Sequence, residues 1–212
     1  MIVADVMTRN PLYVHPDMSV PDARALIRKE KVGRLPVLDR ENRLVGIVTE
    51  WDLVNASPSV ATTLDIYEMG YLLSKLKVEK VMERKVITVE EDTVIEEAAR
   101  IMDDNNISAL PVMRGEVLVG IITDGDIFRI FIELFGARQE GVRLTVLVPE
   151  KRGELQNLTQ AITKCGGDII ALAISDGEDV TNRMCIVKVA NVSRDTLLAA
   201  VQPYAIKIED IR

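Results

Sequence analysis

Leu44-Val45-Gly46-Ile47-Val48-Thr49-Glu50-Trp51-Asp52-Leu53 returns later in the same chain as Leu118-Val119-Gly120-Ile121-Ile122-Thr123-Asp124-Gly125-Asp126-Ile127. In each copy an apolar, β-branched run leads into Thr-x-x-Asp, the pattern of a strand that delivers the chain to a capped helix start. The repetition spreads upstream at a constant offset. Val6-Met7 answers Val81-Met82, Val14 answers Val89, Asp17 answers Asp92, Ala23 answers Ala98, and Leu35-Pro36-Val37 answers Leu110-Pro111-Val112. One residue is lost between the two runs, in the turns around Asp39-Arg40-Glu41-Asn42 and Arg114-Gly115; a hairpin turn tolerates such a change. An internal duplication of this kind is the strongest single statement the sequence makes about its fold.

Each copy reads as strand, helix, strand, strand, helix. Ser19 and Thr93 are expected as N-caps, with Asp22 and Glu96 three residues on. Ala23, Leu26 and Ile27 in one copy, and Ala98, Ile101 and Met102 in the other, form the buried stripe of the first helix. Leu-Pro-Val and Leu-Val-Gly runs, separated by polar turn residues, make a hairpin. A unit of about 50 residues is marginal alone, so the two copies are expected to share a core. Leu64, Tyr67, Tyr71, Leu72 and Leu76 predict a helical connector, entered through the turn Ser57-Pro58-Ser59. From Val142 the pattern becomes βαββαβ, with Gly166-Gly167 ending its first helix, Ser193 capping its second and Asp176-Gly177 turning between its middle strands. The division is therefore residues 1–55 for the first repeat, 56–77 for the connector helix, 78–135 for the second repeat and 142–212 for a C-terminal domain, with 136–141 as linker.

The Thr-x-x-Asp junctions carry the chemistry. Free N–H groups at a helix start favour phosphate, a Thr hydroxyl adds a hydrogen bond, and an Asp three residues on can accept both hydroxyls of a ribose. The competing reading is a plain capping box, in which Thr caps the helix and Asp sits in its first turn.

These residues together resemble the cystathionine β-synthase (CBS) domain family, as a tandem pair covering residues 2 to about 130. The resemblance rests on Val6-Met7-Thr8-x-x-Pro11, Val81-Met82, both Leu-Pro-Val strands and both Gly-h-h-Thr-x-x-Asp endings, where h is apolar. It implies a pseudo-symmetric module that binds an adenosine-containing ligand (AMP, ADP, ATP or S-adenosylmethionine), with Asp52 and Asp126 on ribose, Thr49 and Thr123 near phosphate, and Ile47, Ile121, Pro36 and Pro111 beside them. Many relatives carry a basic residue before the motif Asp, where this chain has Trp51 and Gly125. Arg34, whose counterpart is Ala109, is expected to give the first repeat's site a preference for phosphorylated ligands, while the second repeat's tolerates neutral ones. A surface arginine is the alternative. The C-terminal βαββαβ is similar to a ferredoxin-like ACT domain, which implies pairing between copies and an amino-acid site at Glu150, Gly153 and Leu155, within Pro149-Glu150-Lys151-Arg152-Gly153-Glu154-Leu155. The fold class expected is thus mixed α/β and α+β, and the whole order is similar to acetoin-utilisation proteins of the AcuB type.

Composition narrows the function. The chain has 33 acidic and 26 basic residues, a net charge of −7, and 48% apolar residues. Such a chain repels nucleic-acid backbones and anionic membranes, so neither is expected as a partner. The start Met1–Pro11 lacks a basic-then-apolar leader, and no apolar run reaches the ~20 residues of a membrane span. A cytoplasmic protein with two buried, metal-free thiols, Cys165 and Cys185, is expected. His15 is the sole histidine, with no nucleophile elbow around it, so no catalytic residues, metal or catalytic cofactor are expected. Glu90-Glu91 and Asp103-Asp104 are read as solvated helix faces. Phe128, Phe131, Ile132 and Phe135 form an apolar stripe that predicts a homodimer. Three readings follow, in the order ligand-responsive regulator of an unknown protein, dimerising scaffold, enzyme.

Overall fold

The computed structural model describes residues 1–56 and 75–212, so the connector helix expected over 56–77 falls almost wholly outside the described residues. The chain divides into two compact units, Met1–Ile127 and Phe128–Arg212.

In the first repeat, helix α1 (Val3–Val6), strand β1 (Thr8–Arg9), helix α2 (Val20–Glu30), strands β2 (Arg34–Leu38) and β3 (Leu44–Thr49) and helix α3 (Glu50–Asn55) follow one another. Ser19 caps α2, its Oγ accepting the Asp22 N–H at 3.2 Å, and Lys31 closes it in the left-handed region. Val20, Ala23 and Ile27 are the buried stripe. The second repeat contributes β4 (Val89–Glu90), α4 (Ile95–Asp104), β5 (Ala109–Arg114), β6 (Val117–Thr123) and α5 (Asp124–Leu134). Here the expected cap is corrected: α4 is capped by Val94, not Thr93, and Val94 makes no side-chain cap bond. At the offset of 75 Ser19 aligns with Val94, so both helices start at the same place in their repeats. The backbone contacts match too, the Thr93 carbonyl accepting the Val3 N–H at 2.8 Å as the Met18 carbonyl accepts the Val78 N–H at 2.9 Å, and only the capping side chain is missing.

That contact belongs to a wider exchange. Strand β1 lies not in its own repeat's sheet but at the edge of the other's, in the order β1-β6-β5-β4, with Thr8 opposite Ile121 and Arg9 opposite Gly120. Reciprocally, Glu83 of the second repeat pairs with Ile47 on β3 through two 2.9 Å backbone bonds. The motif glycines explain how closely these strands approach. A β-carbon on Gly120 would overlap Met7 Sδ, and one on Gly46 would overlap Met82 Sδ, so the Met of each repeat lies on the Gly of the other. The two copies thus share strands as well as a core.

The second unit contains β7 (Val142–Pro149), α6 (Glu154–Lys164), β8 (Asp168–Asp176), β9 (Asn182–Ala190), α7 (Arg194–Val201) and β10 (Lys207–Ile211). Its sheet is antiparallel in the order β10-β7-β9-β8. Leu144, Val146, Val148, Cys185, Val187 and Val189 share one core with Leu158 and Ile162 of α6 and Leu197 and Val201 of α7. Gly166, at φ +84°, turns the chain after α6, and Ser193 Oγ accepts the Thr196 N–H at 3.2 Å to cap α7. Two expectations about polar residues change. Cys165 is half-exposed rather than buried, because it is the C-cap of α6. Glu90 and Glu91 lie at and just beyond the end of a strand rather than on a helix, and Glu91 holds Arg114 in a two-pronged ion pair.

Candidate functional site

Both Thr-x-x-Asp junctions tie the Asp carboxylate back onto its Thr, and the first is a full reciprocal cap. At the first, Asp52 Oδ2 accepts the Thr49 N–H at 2.8 Å and its hydroxyl at 2.6 Å, while Thr49 Oγ1 accepts the Asp52 N–H at 3.2 Å. At the second, Asp126 Oδ2 accepts the Thr123 N–H and hydroxyl, both at 2.8 Å. The capping role is therefore present in both copies. The copies differ in burial: Asp126 is 3% exposed, whereas Asp52 is only half-buried.

Between the repeats runs a cleft of about 410 Å³, inside the ~300–1,000 Å³ range of small-molecule sites. One wall is the exchanged N-terminal segment, Thr8, Asn10, Pro11 and Leu12; the second is Val32, Gly33 and Arg34 at the start of β2; the third is Ile121, Thr123 and Asp124 where β6 becomes α5. The exchange thus brings three separate stretches of chain to one place. Arg34, half-buried, has its pKa drawn below the ordinary value by burial, opposed by the nearby Asp124 carboxylate. Asp124 itself is exposed, and its Oδ1 accepts the Gly125 N–H at 2.7 Å.

Of the residues singled out from the sequence, Arg34, Ile121 and Thr123 line this cleft, and Asp126 is hydrogen-bonded to Thr123. Ile47, Thr49 and Asp52 belong to the other junction and do not line it. Pro36 and Pro111 are buried in their strands, opposite Ile47 and Ile121. Arg34 is shared between the repeats. It stands opposite Thr49 in the β2–β3 ladder, yet the cleft it lines is shared with Thr123 and Asp124 of the second repeat, so it does not serve the first repeat's motif alone. Sequence reasoning missed Thr8, Asn10, Leu12, Val32 and Asp124. Thr8 and Pro11 stood inside the quoted opening motif, and nothing in a linear comparison shows that this segment crosses to the other repeat.

In the second unit, Glu150 and Leu155 come together with Lys151, Glu154, Ile174, Arg183 and Cys185 around a pocket of about 240 Å³. Gly153, at φ +94°, is the N-cap of α6 and does not line it. Arg183 Nε donates to Glu150 at 2.5 Å, and its Nη1 is paired with Asp176. Burial pushes the Cys185 thiol upward, assisted by Glu150, so it is held as a thiol.

His15 does not line the inter-repeat cleft; its Nδ1 lies 2.9 Å from the Leu38 carbonyl and its ring meets Tyr13 edge-on. Among the described residues, no group of three or more His, Cys, Asp or Glu could hold a metal ion, and no helix is long and apolar enough to cross a membrane.

Comparison with known proteins bears on this arrangement. A crystal structure of the CBS domain pair of MJ0100 in complex with 5′-methylthioadenosine and S-adenosyl-L-methionine superposes with a TM-score of 0.53 at 31% identity, over 66% of this chain and 98% of that one. The Vibrio cholerae protein designated for acetoin utilization (AcuB) gives 0.54 at 31% identity, over 66% and 98%. CBSX2 in complex with AMP gives 0.51 at 33% identity, over 65% and 98%. L-aspartate semialdehyde sulfurtransferase of Methanocaldococcus jannaschii is 32% identical over 131 residues, 61% of this chain, which spans 23% of that relative's length. The sequence pattern of the CBS domain matches residues 3–59 and 78–133. With the duplicated motif, the exchanged strands and these matches, the chain belongs to the CBS domain family.

Proposed function

We propose that this protein is a non-catalytic regulator that senses an adenosine-containing ligand in the cleft between its CBS repeats. The observation that carries the reading is that cleft, about 410 Å³ and walled by Arg34, Ile121, Thr123 and Asp124. Apolar Pro11, Leu12, Val32 and Ile121 suit an adenine ring. Thr123 and Asp126 supply hydroxyl and carboxylate for ribose or phosphate, and Thr49 with Asp52 repeats the pair at the other junction. The likeness to protein structures holding methylthioadenosine, S-adenosylmethionine and AMP supports the ligand class. The likeness to the Vibrio cholerae protein supports acetoin use as the regulated process. The signal passes through a partner protein or a second copy: Phe128, Phe131 and Leu134 on α5 are more than half exposed, and light scattering should read a dimer at micromolar concentration.

Thermal denaturation with AMP, ADP, ATP, S-adenosylmethionine and NAD tests the reading. A ligand at 100 times its Kd should stabilise the fold by about 2.7 kcal/mol. Asp126→Ala should abolish that ligand-dependent rise. No shift with any of them at millimolar concentration overturns it.

A second reading, an ACT-like C-terminal domain that binds an amino acid, is favoured by one observation. Glu150, Lys151, Leu155 and Arg183 gather at one pocket, where paired carboxylates and bases could meet an ammonium and a carboxylate. Free amino acids raising the melting temperature would support it, and an unmoved transition across all twenty would end it.

A further inference from the structure

The cleft contains a residue that the nucleotide reading does not use. Arg34 and Asp124 line it together from opposite repeats, a cation and an anion in one cleft. An arginine provided for phosphate alone would gain nothing from a carboxylate beside it, because a phosphate dianion attracted to Arg34 is repelled by Asp124 at similar range. A ligand that carries both signs of charge satisfies both walls.

From that pairing we infer that the cleft selects a dipolar adenosine compound, an adenosyl group joined to a tail with a carboxylate for Arg34 and a cationic group for Asp124, over an adenosine phosphate. The inference rests on the adenosine reading above and narrows its ligand class. Three details support it. The Arg34 guanidinium is a planar fork that matches a carboxylate bidentately, and it is half-buried, where such a bond is screened less. Asp124 is fixed by the Gly125 N–H at one oxygen, so its carboxylate is held rather than free to turn away. The corresponding places in the other repeat lack the arrangement: Ala109 replaces Arg34, and Glu50, which replaces Asp124, lies 3.9 Å from Arg28 of its own repeat. The opposed charges are therefore particular to one cleft and are not a by-product of duplication.

The test is calorimetric titration of the full chain with S-adenosylmethionine, AMP and adenosine at one salt concentration, for wild type, Asp124→Asn, Asp124→Glu and Arg34→Ala. Wild type should bind S-adenosylmethionine at least tenfold tighter than AMP. Asp124→Asn should weaken S-adenosylmethionine and strengthen AMP, cutting that ratio tenfold or more, while Asp124→Glu keeps the preference. Arg34→Ala should weaken both charged ligands and leave adenosine nearly unchanged. Asp124 is exposed, so melting curves should show the variants folded. AMP binding wild type as tightly as S-adenosylmethionine, or a ratio that Asp124→Asn leaves alone, overturns the dipolar selection while the adenosine reading stands. Absence of binding by all three ligands to wild type overturns the adenosine reading and the selection with it.

Discussion

The two repeats are alike where they touch each other and different where they face the cleft or solvent. Each lays a methionine on the other's glycine, Met7 on Gly120 and Met82 on Gly46, and each closes its last strand with the same Thr-Asp cap. Around those fixed points the copies have moved apart. The first turns its hairpin through Asp39–Arg43, with Asp39 accepting the Glu41 and Arg43 N–H groups, while the second uses the tight Gly115-Glu116 at φ +60° for the glycine. Ser19 caps one helix by its side chain, and Val94 leaves the other uncapped. Arg34 stands where Ala109 does, and Asp52 is half-buried where Asp126 is closed in. The lesson is that a duplicated domain keeps its mutual interface under tight steric constraint and diverges along the walls that need not match.

The largest expected effect probes the part that did not diverge. Gly46→Ala should destabilise by about 2–3 kcal/mol, the upper part of the overpacking range, because its β-carbon would crowd both Met82 and the Glu83 carbonyl. Gly120→Ala should cost about 1 kcal/mol less, since only the flexible Met7 side chain is in its way. Chemical denaturation of both variants checks the order. Equal losses would mean that the two contacts are interchangeable.

Next come the caps. Asp126→Ala should lower stability by about 2 kcal/mol because a buried carboxylate and its two bonds to Thr123 are lost, whereas Asp52→Ala should lower it by about 1 kcal/mol, the ordinary worth of a cap nearer solvent. Thermal melts without ligand separate this effect from any loss of binding. A smaller contrast lies at the helix starts: Ser19→Ala should cost about 1 kcal/mol, and Val94→Ser, on a residue 46% exposed, should gain about 0.5 kcal/mol by supplying the missing acceptor. A Val94→Ser protein that melts lower would show that the bridge to Ile2 needs the valine.

The smallest effect is acid dependence of the two hairpins. Hydrogen bonds from the Arg43 backbone and side chain hold the Asp39 carboxyl below the ordinary value, and the Arg114 side chain does the same for Glu91. A depressed folded-state pKa gives stability that is present above the unfolded value and lost as pH falls through the folded one. Melting temperature should therefore decline from about pH 5 towards about pH 3, and Asp39→Asn or Glu91→Gln should each flatten a small part of that decline. No change in slope for either variant would remove these pairs from the acid response.

Much of this is legible in the sequence alone. The repeat itself, the hairpins, Ser19, Ser193 and both Thr-Asp junctions follow from local chemistry that a linear reading can weigh. Thr93 carries a capping hydroxyl one place before the cap position, which the offset of 75 from Ser19 gives to Val94, so local residue type and repeat register disagree there. The cleft is half legible. Arg34 and Thr123 carry visible signals, but Asn10, Leu12 and Asp124 gain their place only when β1 crosses to β6, and nothing in residues 8–12 records that destination. Charge on Arg34 points to phosphate; Asp124, which lines the same cleft, is its neighbour in space only.

The crossing of β1 also sets a timetable. Thr8 finds its partner at Ile121, 121 − 8 = 113 residues later, so β1 is made long before the strand that pairs it. At ~5–20 residues per second of synthesis, β1 spends roughly 6–23 s without its sheet. During that interval Met7 has no glycine to rest on, and the first repeat has one wall of its hairpin open. The nascent chain is therefore a substrate for chaperones and proteases until the second copy emerges, and a gene truncated between the repeats would make half a domain with a raw edge rather than a smaller working one.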